Sequence, residues 1–156
     1  MRPQRFHQFA CEALAKAPEV QAVEPWDRGD HTLGMRIVFT NGSQVWLGTT
    51  GALPPGVKSE DEDVPVLGEP PAHVPYPDVF DGGAVTPQRA QAYLAAALNN
   101  AGCEEIAEVY PYAETAQNPG FGVVFHSGAK GFCLFHHAAR SGQGISGTPF
   151  SLPVAF

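Results

Sequence analysis

The fold of this chain is decided by a stretch that occurs twice, as PQRFHQFACEALAKA at residues 3–17 and as PQRAQAYLAAALNNA at residues 87–101. In both copies apolar side chains recur at i, i+3, i+4, i+7, i+8 and i+11, which places them on one stripe of a helix with about 3.6 residues per turn. Thr86 precedes the second copy as an N-cap and Gly102 follows it as a stop signal. The pattern predicts two amphipathic helices, of which the second has the better-defined start.

Three extended segments follow each helix. The first covers residues 19–26 in one copy and 105–112 in the other, and each has a proline just before its final aromatic residue. The next two flank Asn41-Gly42 in the first copy and Ser127-Gly128 in the second, and Asn-Gly between apolar runs is a strong hairpin signal. Each copy therefore reads helix, strand, strand, strand.

The sequence predicts an α+β fold built by internal duplication of an α-β-β-β unit. We expect a single compact domain with pseudo-two-fold symmetry, helices on the outer side, and two antiparallel sheets that join edge to edge or pack against each other. We define the first unit as residues 1–49, the Pro-rich and acidic connector as residues 50–85, the second unit as residues 86–137 and the irregular apolar tail as residues 138–156.

The strand register follows from the turns. A two-residue loop at Asn41-Gly42 places Ile37 opposite Trp46, so that Trp46 packs under the helices. A second apolar face is then left over, made of Val38, Val45, Leu47, Val124, Cys133 and Phe135. Exposed sheet faces are mostly polar. We therefore expect a cover, either the connector and the tail each wrapping their own unit, or a partner.

Composition excludes several classes of protein. The chain has 156 residues, 44% of them hydrophobic, and a formal net charge of −7 with only nine Lys and Arg, which disfavours nucleic-acid binding. No apolar run reaches the roughly 18 residues of a membrane span, so no membrane partner is predicted. Three cysteines without a C-x-x-C spacing favour reduced thiols and a cytoplasmic location. The low lysine content is typical of a high-GC genome such as that of an actinobacterium.

The residues near the second hairpin invite a metal hypothesis, which strand geometry disfavours. His126, Cys133, His136 and His137 lie within twelve residues, but Cys133 and His136 point to opposite faces of a regular strand. Cys133 and His137 share a face at about 13 Å, at about 3.4 Å per residue, whereas zinc ligands converge on one ion. The interpretation favoured here is a core thiol beside surface histidines, and no metal, cofactor or catalytic residue is predicted.

The predicted function is that of a small non-enzymatic protein-binding module, of adaptor, inhibitor or immunity type. Its partner is another protein or a second copy of the chain. Two alternatives stay open: a self-assembling component of a phage or mobile element, and a small-ligand binder or enzyme with a pocket between the units near His126 and His137. The candidate binding residues are strand-end aromatics, the second face and an acidic run, namely Trp26, Tyr110, Tyr112, Val38, Val45, Leu47, Phe135, Glu60, Asp61, Glu62 and Asp63.

Overall fold

The computed structural model describes residues 1–27 and 33–156. Over these residues the chain has an α+β fold with two helices, a six-stranded antiparallel sheet and a short two-stranded ribbon. The helices are α1 (Pro3–Leu14) and α2 (Pro87–Asn99). The strands are β1 (Val20–Pro25), β2 (Leu33–Phe39), β3 (Gln44–Ala52), β4 (Phe80–Asp81), β5 (Ala84–Val85), β6 (Ile106–Pro111), β7 (Gly120–Phe125) and β8 (Lys130–Ala139).

Both predicted helices are confirmed. The Thr86 hydroxyl caps α2 by accepting the backbone N–H of Arg89 at 3.2 Å, and Gly102 beyond the helix has a φ of 71°. Arg2 stands at the N-cap of α1 and makes no capping bond with its side chain. Most residues of both apolar stripes are buried in one core with the sheet, while Phe9 and Ala13 are partly buried against it and Ala101, at the end of the second stripe, is exposed.

The large sheet runs in the order β1-β2-β3-β8-β7-β6. Its centre is the antiparallel pairing of β3 with β8, from Gln44 opposite Ala139 to Ala52 opposite Lys130. The three strands of the first unit therefore join the three strands of the second edge to edge, through β3 and β8. The outer edges of the sheet are β1 and β6.

The predicted hairpin register is wrong by one residue. The first hairpin closes with a three-residue loop, in which the N–H of Phe39 donates to Ser43 O and the N–H of Gly42 donates to Phe39 O, both at 2.8 Å. Gly42 has a φ of 89°, as a type I turn followed by a left-handed glycine requires. Ile37 therefore pairs with Val45, and the second hairpin has the same loop around Gly128.

This shift moves four residues of the predicted second apolar face into the core, namely Cys133 and three of the candidate binding residues. Val45, Leu47 and Phe135 are fully buried on the face that packs under the helices. Trp46 and Phe132, which were expected in the core, lie on the opposite face, since they pair with Arg36 and Gly122. We call this opposite face the outer face.

A bulge in β8 changes the placement of the histidines as well. Trp46 pairs with His137 whereas Leu47 pairs with Phe135, so His136 is an extra residue in β8. The rings of both histidines lie beside the ring of Trp26, at centroid distances of 5.7 Å and 6.0 Å. The expectation that Cys133 and His137 share a face is therefore wrong, because Cys133 is in the core.

The tail contacts its own unit, where the Phe150 N–H donates to His136 O at 2.8 Å, and it also crosses to the first unit, which was not expected. The Gln44 side-chain amide donates to the carbonyls of Arg140 at 3.0 Å and Gln143 at 2.6 Å. Phe156 is buried in the core, where its backbone exchanges two hydrogen bonds with Val85 at 2.7 and 2.8 Å. The Ser43 hydroxyl donates to Phe156 O at 3.0 Å. The tail thus wraps the turn of the first hairpin.

Candidate functional site

The strand-end aromatics lie on the outer face, each above a glycine of the neighbouring strand. A β-carbon added to Gly34 would come within 3.0 Å of the Trp26 ring, and one added to Gly122 would come within 2.5 Å of the Tyr110 ring. Tyr112 covers Gly120 in the same way, and its ring centroid lies 6.0 Å from that of Tyr110. The rings are half-buried, and they cover sheet surface that the glycines leave bare.

Of the predicted second face, only part is accessible. Val38 lies half-buried on the outer face, opposite Gln44 and Ala22. Val45, Leu47 and Phe135 have no exposed surface. Their burial removes them from any docking surface on this fold.

The acidic run divides into two parts. Glu60, Asp61 and Glu62 are exposed, and the Asp61 carboxylate accepts the Lys58 N–H at 2.8 Å within the run. Asp63 is half-buried, and its carboxylate accepts a hydrogen bond from Arg5 Nε at 2.9 Å and one from the Arg2 N–H at 3.1 Å. The bond from Arg5 is the main reason why the pKa of Asp63 falls to about 2.

Arg5 joins this run to the second unit. Its Nη1 and Nη2 donate to the two carboxylate oxygens of Glu105 at 2.5 and 2.9 Å, in the bidentate geometry typical of arginine. These bonds and the bond to Asp63 raise the pKa of Arg5. Asp63 therefore holds the connector in place through its bond to Arg5. Its position in an acidic run did not predict this role.

The connector is fastened further along by backbone bonds to the second unit. The Gly68 N–H donates to Glu104 O at 2.8 Å, and the His126 ring lies 2.9 Å from Glu69 O. At the end of α2, Asn99 donates to Ala72 O at 2.8 Å. Asn100 bonds both the N–H and the carbonyl of Val74, at 2.9 and 2.8 Å. The connector is thus held by both units, at Asp63 by Arg2 and Arg5 of the first unit and from Gly68 to Val74 by the second, so the expected wrapping of the first unit describes only part of its course.

Sequence reasoning did not identify Arg5, Asn99 or Asn100 as functional. The two adjacent asparagines at the end of an alanine-rich helix were the one sequence feature that indicated such a role, because a side-chain amide there can hydrogen-bond the backbone of a neighbouring segment. Nothing in the sequence indicated which segment would pass there.

The fastened connector exposes its apolar side chains. We call residues 53–76 the arm. Leu67 is 65% exposed although the N–H of the next residue, Gly68, is bonded to Glu104 O. Val64 is 64% exposed although the carboxylate of the preceding residue, Asp63, is bonded to Arg5. The large apolar side chains exposed on the arm are Val57, Val64, Val66, Leu67, Val74 and Tyr76.

Part of the arm borders an open hollow of about 200 Å³, which we call the arm hollow. The arm hollow is lined by apolar side chains from separate parts of the arm, by acidic side chains and by the turn of the second hairpin. Its lining includes Leu53, Pro54, Val57, Glu62, Asp63, Val64, Val66, Arg2 and Ser127.

A larger hollow of about 510 Å³ lies between the tail and the end of β8. His137, Arg140, Gln143 and Ser151 are among its lining residues. His126 is on the turn of the second hairpin, bonded to the arm. His137 thus lines the larger hollow, and His126 lines neither the larger hollow nor the arm hollow.

Burial affects the pKa of two of the thiols. Cys133 is fully buried, and burial raises its pKa; the pKa of Cys11 is raised for the same reason. In the part of the chain that the structure describes, no group of three His, Cys, Asp or Glu side chains is placed to hold a metal ion.

The comparisons with known proteins give no relative. The chain matches no protein-family model, no curated protein and no solved structure. Across residues 1–27 and 33–156, neither helix is long and apolar enough to cross a membrane.

Proposed function

We propose that this chain is a non-enzymatic protein-binding module that recognises another protein through the arm. The observation that carries the proposal is the combination of fixed backbone and exposed side chains. Glu69, Ala72 and Val74 are bonded to side chains of the second unit, while Val64, Val66 and Leu67 beside them face outward. Apolar groups exposed together on a protein surface are typical of interaction sites.

The fastening favours binding on physical grounds. A loop that becomes ordered on binding loses conformational entropy, and each immobilised side chain costs about 0.5–1.5 kcal/mol. An arm that is already held by Arg5, Asn99 and Asn100 avoids much of that cost. Prolines at positions 54, 55, 65, 70, 71 and 75 restrict its backbone further.

Self-assembly through the sheet is the weaker candidate. Both edge strands contain an irregular pairing, after Val20 in β1 and after Ile106 in β6, and both end in a proline. Bulges and prolines at an edge oppose the addition of a further strand. The edges therefore give no support to growth of the sheet from copy to copy.

We also propose that the two units arose by duplication and keep a pseudo-two-fold relation. His7 and Gln91 lie 84 positions apart, and both bond the backbone of a glycine where a strand begins. His7 Nε2 lies 2.7 Å from Gly34 O, and Gln91 Oε1 accepts the Gly120 N–H at 2.9 Å. The two bonds reach different backbone groups, the carbonyl of Gly34 and the N–H of Gly120, but they join corresponding helix positions to corresponding glycines, which supports common descent of the units.

A cytoplasmic location belongs to the same proposal. Cys11, Cys103 and Cys133 are all free thiols, and thiols persist in reducing compartments.

The test is affinity capture with the tagged full chain from lysate of a high-GC actinobacterium. Leu67→Asp removes an exposed apolar side chain of the arm, and Ile145→Asp makes the matched change on the tail, where Ile145 is also exposed. The proposal expects a stoichiometric partner that is lost with Leu67→Asp and kept with Ile145→Asp. Equal capture by both variants would contradict it.

A further inference from the structure

We infer that the partner inserts one large apolar side chain, flanked by basic residues, into the arm hollow. This inference rests on the proposed function and specifies the chemistry of the partner. It follows from the size of the arm hollow, from the charges around it and from the lack of a continuous row of free hydrogen-bonding groups along the arm backbone.

The size of the arm hollow favours a side chain over a metabolite. Its volume is about 200 Å³, whereas small-molecule sites span roughly 300–1,000 Å³. Leu53, Val57, Val64 and Val66 supply an apolar lining. One large aliphatic or aromatic side chain is the group that such a hollow fits, as an anchor residue does at a protein interface.

The charges beside the arm hollow select for a basic neighbour. Glu60, Asp61 and Glu62 are exposed, and among the described residues no cationic group lies within 4.0 Å of their carboxylates. Asp63 is different, since both Arg5 and the N-terminal ammonium of Met1 lie within 4.0 Å of its carboxylate. The guanidinium of Arg2, which also lines the arm hollow, donates to the backbone carbonyls of Lys58 and Asp61 and leaves the three exposed carboxylates to a partner. A partner with Lys or Arg beside its anchor residue would supply the missing charge.

The same charges disfavour a second copy of this chain as the occupant. Each copy carries a formal net charge of −7. A symmetric contact through this surface would bring two acidic runs together, and like charges repel. Another protein with a basic surface is the occupant that the charges favour.

The arm backbone excludes recognition by strand addition. Pro65, Pro70 and Pro71 have no N–H to donate, and the N–H of Gly68 and both polar groups of Val74 are already bonded to the second unit. A partner strand would find no continuous row of free backbone groups. The partner must therefore read the side chains of the arm.

The experiment is selection of a displayed random-peptide library on the immobilised full chain. Affinities of the enriched peptides are then measured by calorimetry at low and high salt. We expect peptides that place Lys or Arg beside Leu, Phe or Trp, with an affinity that falls at least tenfold in Val66→Asp. The double variant Glu60→Lys/Glu62→Lys, which keeps Asp61 and its bond to Lys58, should weaken binding and reduce its dependence on salt. Val154→Asp, on an exposed tail residue, is the control and should bind as the unmodified chain does.

The outcomes separate the inference from the proposed function. Peptides that need Val66 but lack basic residues would overturn the inference and leave the arm as the binding surface. Basic peptides that bind Val66→Asp and Leu67→Asp undiminished would overturn both. Failure to enrich any peptide that competes at the arm would overturn the inference alone, because a folded partner can still be captured from lysate.

Discussion

Arg5 on α1 and Glu105 beside β6 form a bidentate ion pair, with N–O distances of 2.5 and 2.9 Å, although they are 100 positions apart in the chain. Arg5 also holds Asp63 of the arm. One guanidinium therefore joins the first helix, the arm and the second unit. The arrangement makes the position of the arm depend on a contact between the two units.

Removal of Arg5 should destabilise both the fold and the arm. Hydrogen bonds to charged groups are worth about 1.5–3 kcal/mol, but Arg5 is 39% exposed, so we expect Arg5→Ala to lower the free energy of unfolding by about 1–2 kcal/mol. Arg89→Ala is the matched control, since Arg89 is equally exposed and lies 4.0 Å from Asp81. In urea unfolding, Arg89→Ala should lower the free energy of unfolding by less than about 1 kcal/mol. Equal losses would contradict the account.

The contribution of Asp63 should depend on pH in a defined window. Its pKa falls from 3.8 to about 2 in the folded chain, so the carboxylate stabilises the fold above pH 3.8, and the contribution disappears as the pH falls toward 2. Urea unfolding of the unmodified chain and of Asp63→Asn should differ most above pH 4 and converge near pH 2. A difference that stays constant from pH 5 to pH 2 would show that the charge of Asp63 is not what matters.

Two phenylalanines on one strand test the register. Phe135 is fully buried, and Phe→Ala in a core costs about 3–5 kcal/mol. Phe132 is half-buried on the outer face, so Phe132→Ala should cost less than about 2 kcal/mol. Thermal and urea unfolding of Phe135→Ala and Phe132→Ala measures the two losses of stability and so tests which phenylalanine is in the core. A larger loss for Phe132→Ala would restore the register expected from two-residue turns.

Gln91 tests the proposed relation between the units. It is buried, and its amide donates to Tyr112 O at 2.7 Å and accepts the Gly120 N–H at 2.9 Å. Gln91→Leu leaves both backbone groups without these bonds and should cost about 1–3 kcal/mol. Gln91→His should cost less, because a neutral imidazole can still accept the Gly120 N–H, and His7 shows that an imidazole at the matching position reaches the backbone of the matching glycine. If histidine is tolerated no better than leucine, the two positions are not equivalent.

The sequence predicted the two helices and the three strands that follow each of them, because helical and strand periodicities are local, but it left the arrangement of the two sheets open. It did not predict the register, since Thr40-Asn41-Gly42 can close either a two-residue or a three-residue loop and the two differ by one residue in pairing. The bulge at His136 has no local signal, because it arises where β3 and β8 meet from distant parts of the chain.

The candidate site was predicted only in part. The acidic run and the apolar connector were identified from composition. The fastenings through Arg5, Asn99 and Asn100 depend on tertiary contacts that no spacing encodes. Val45, Leu47 and Phe135 were assigned to a surface only because the register was wrong.

The most direct test of a fixed arm is amide hydrogen exchange along residues 64–76 in the unmodified chain and in Asn100→Ala. The arm has no regular secondary structure there, so an unfastened arm would exchange at the rate of an unfolded peptide. The account predicts protection at Gly68 and Val74, whose N–H groups are bonded to Glu104 and Asn100, and loss of protection at Val74 but not at Gly68 in Asn100→Ala. Exchange of both amides at the unfolded rate in the unmodified chain would contradict the account, because an arm that is not held in place has no ordered surface to present.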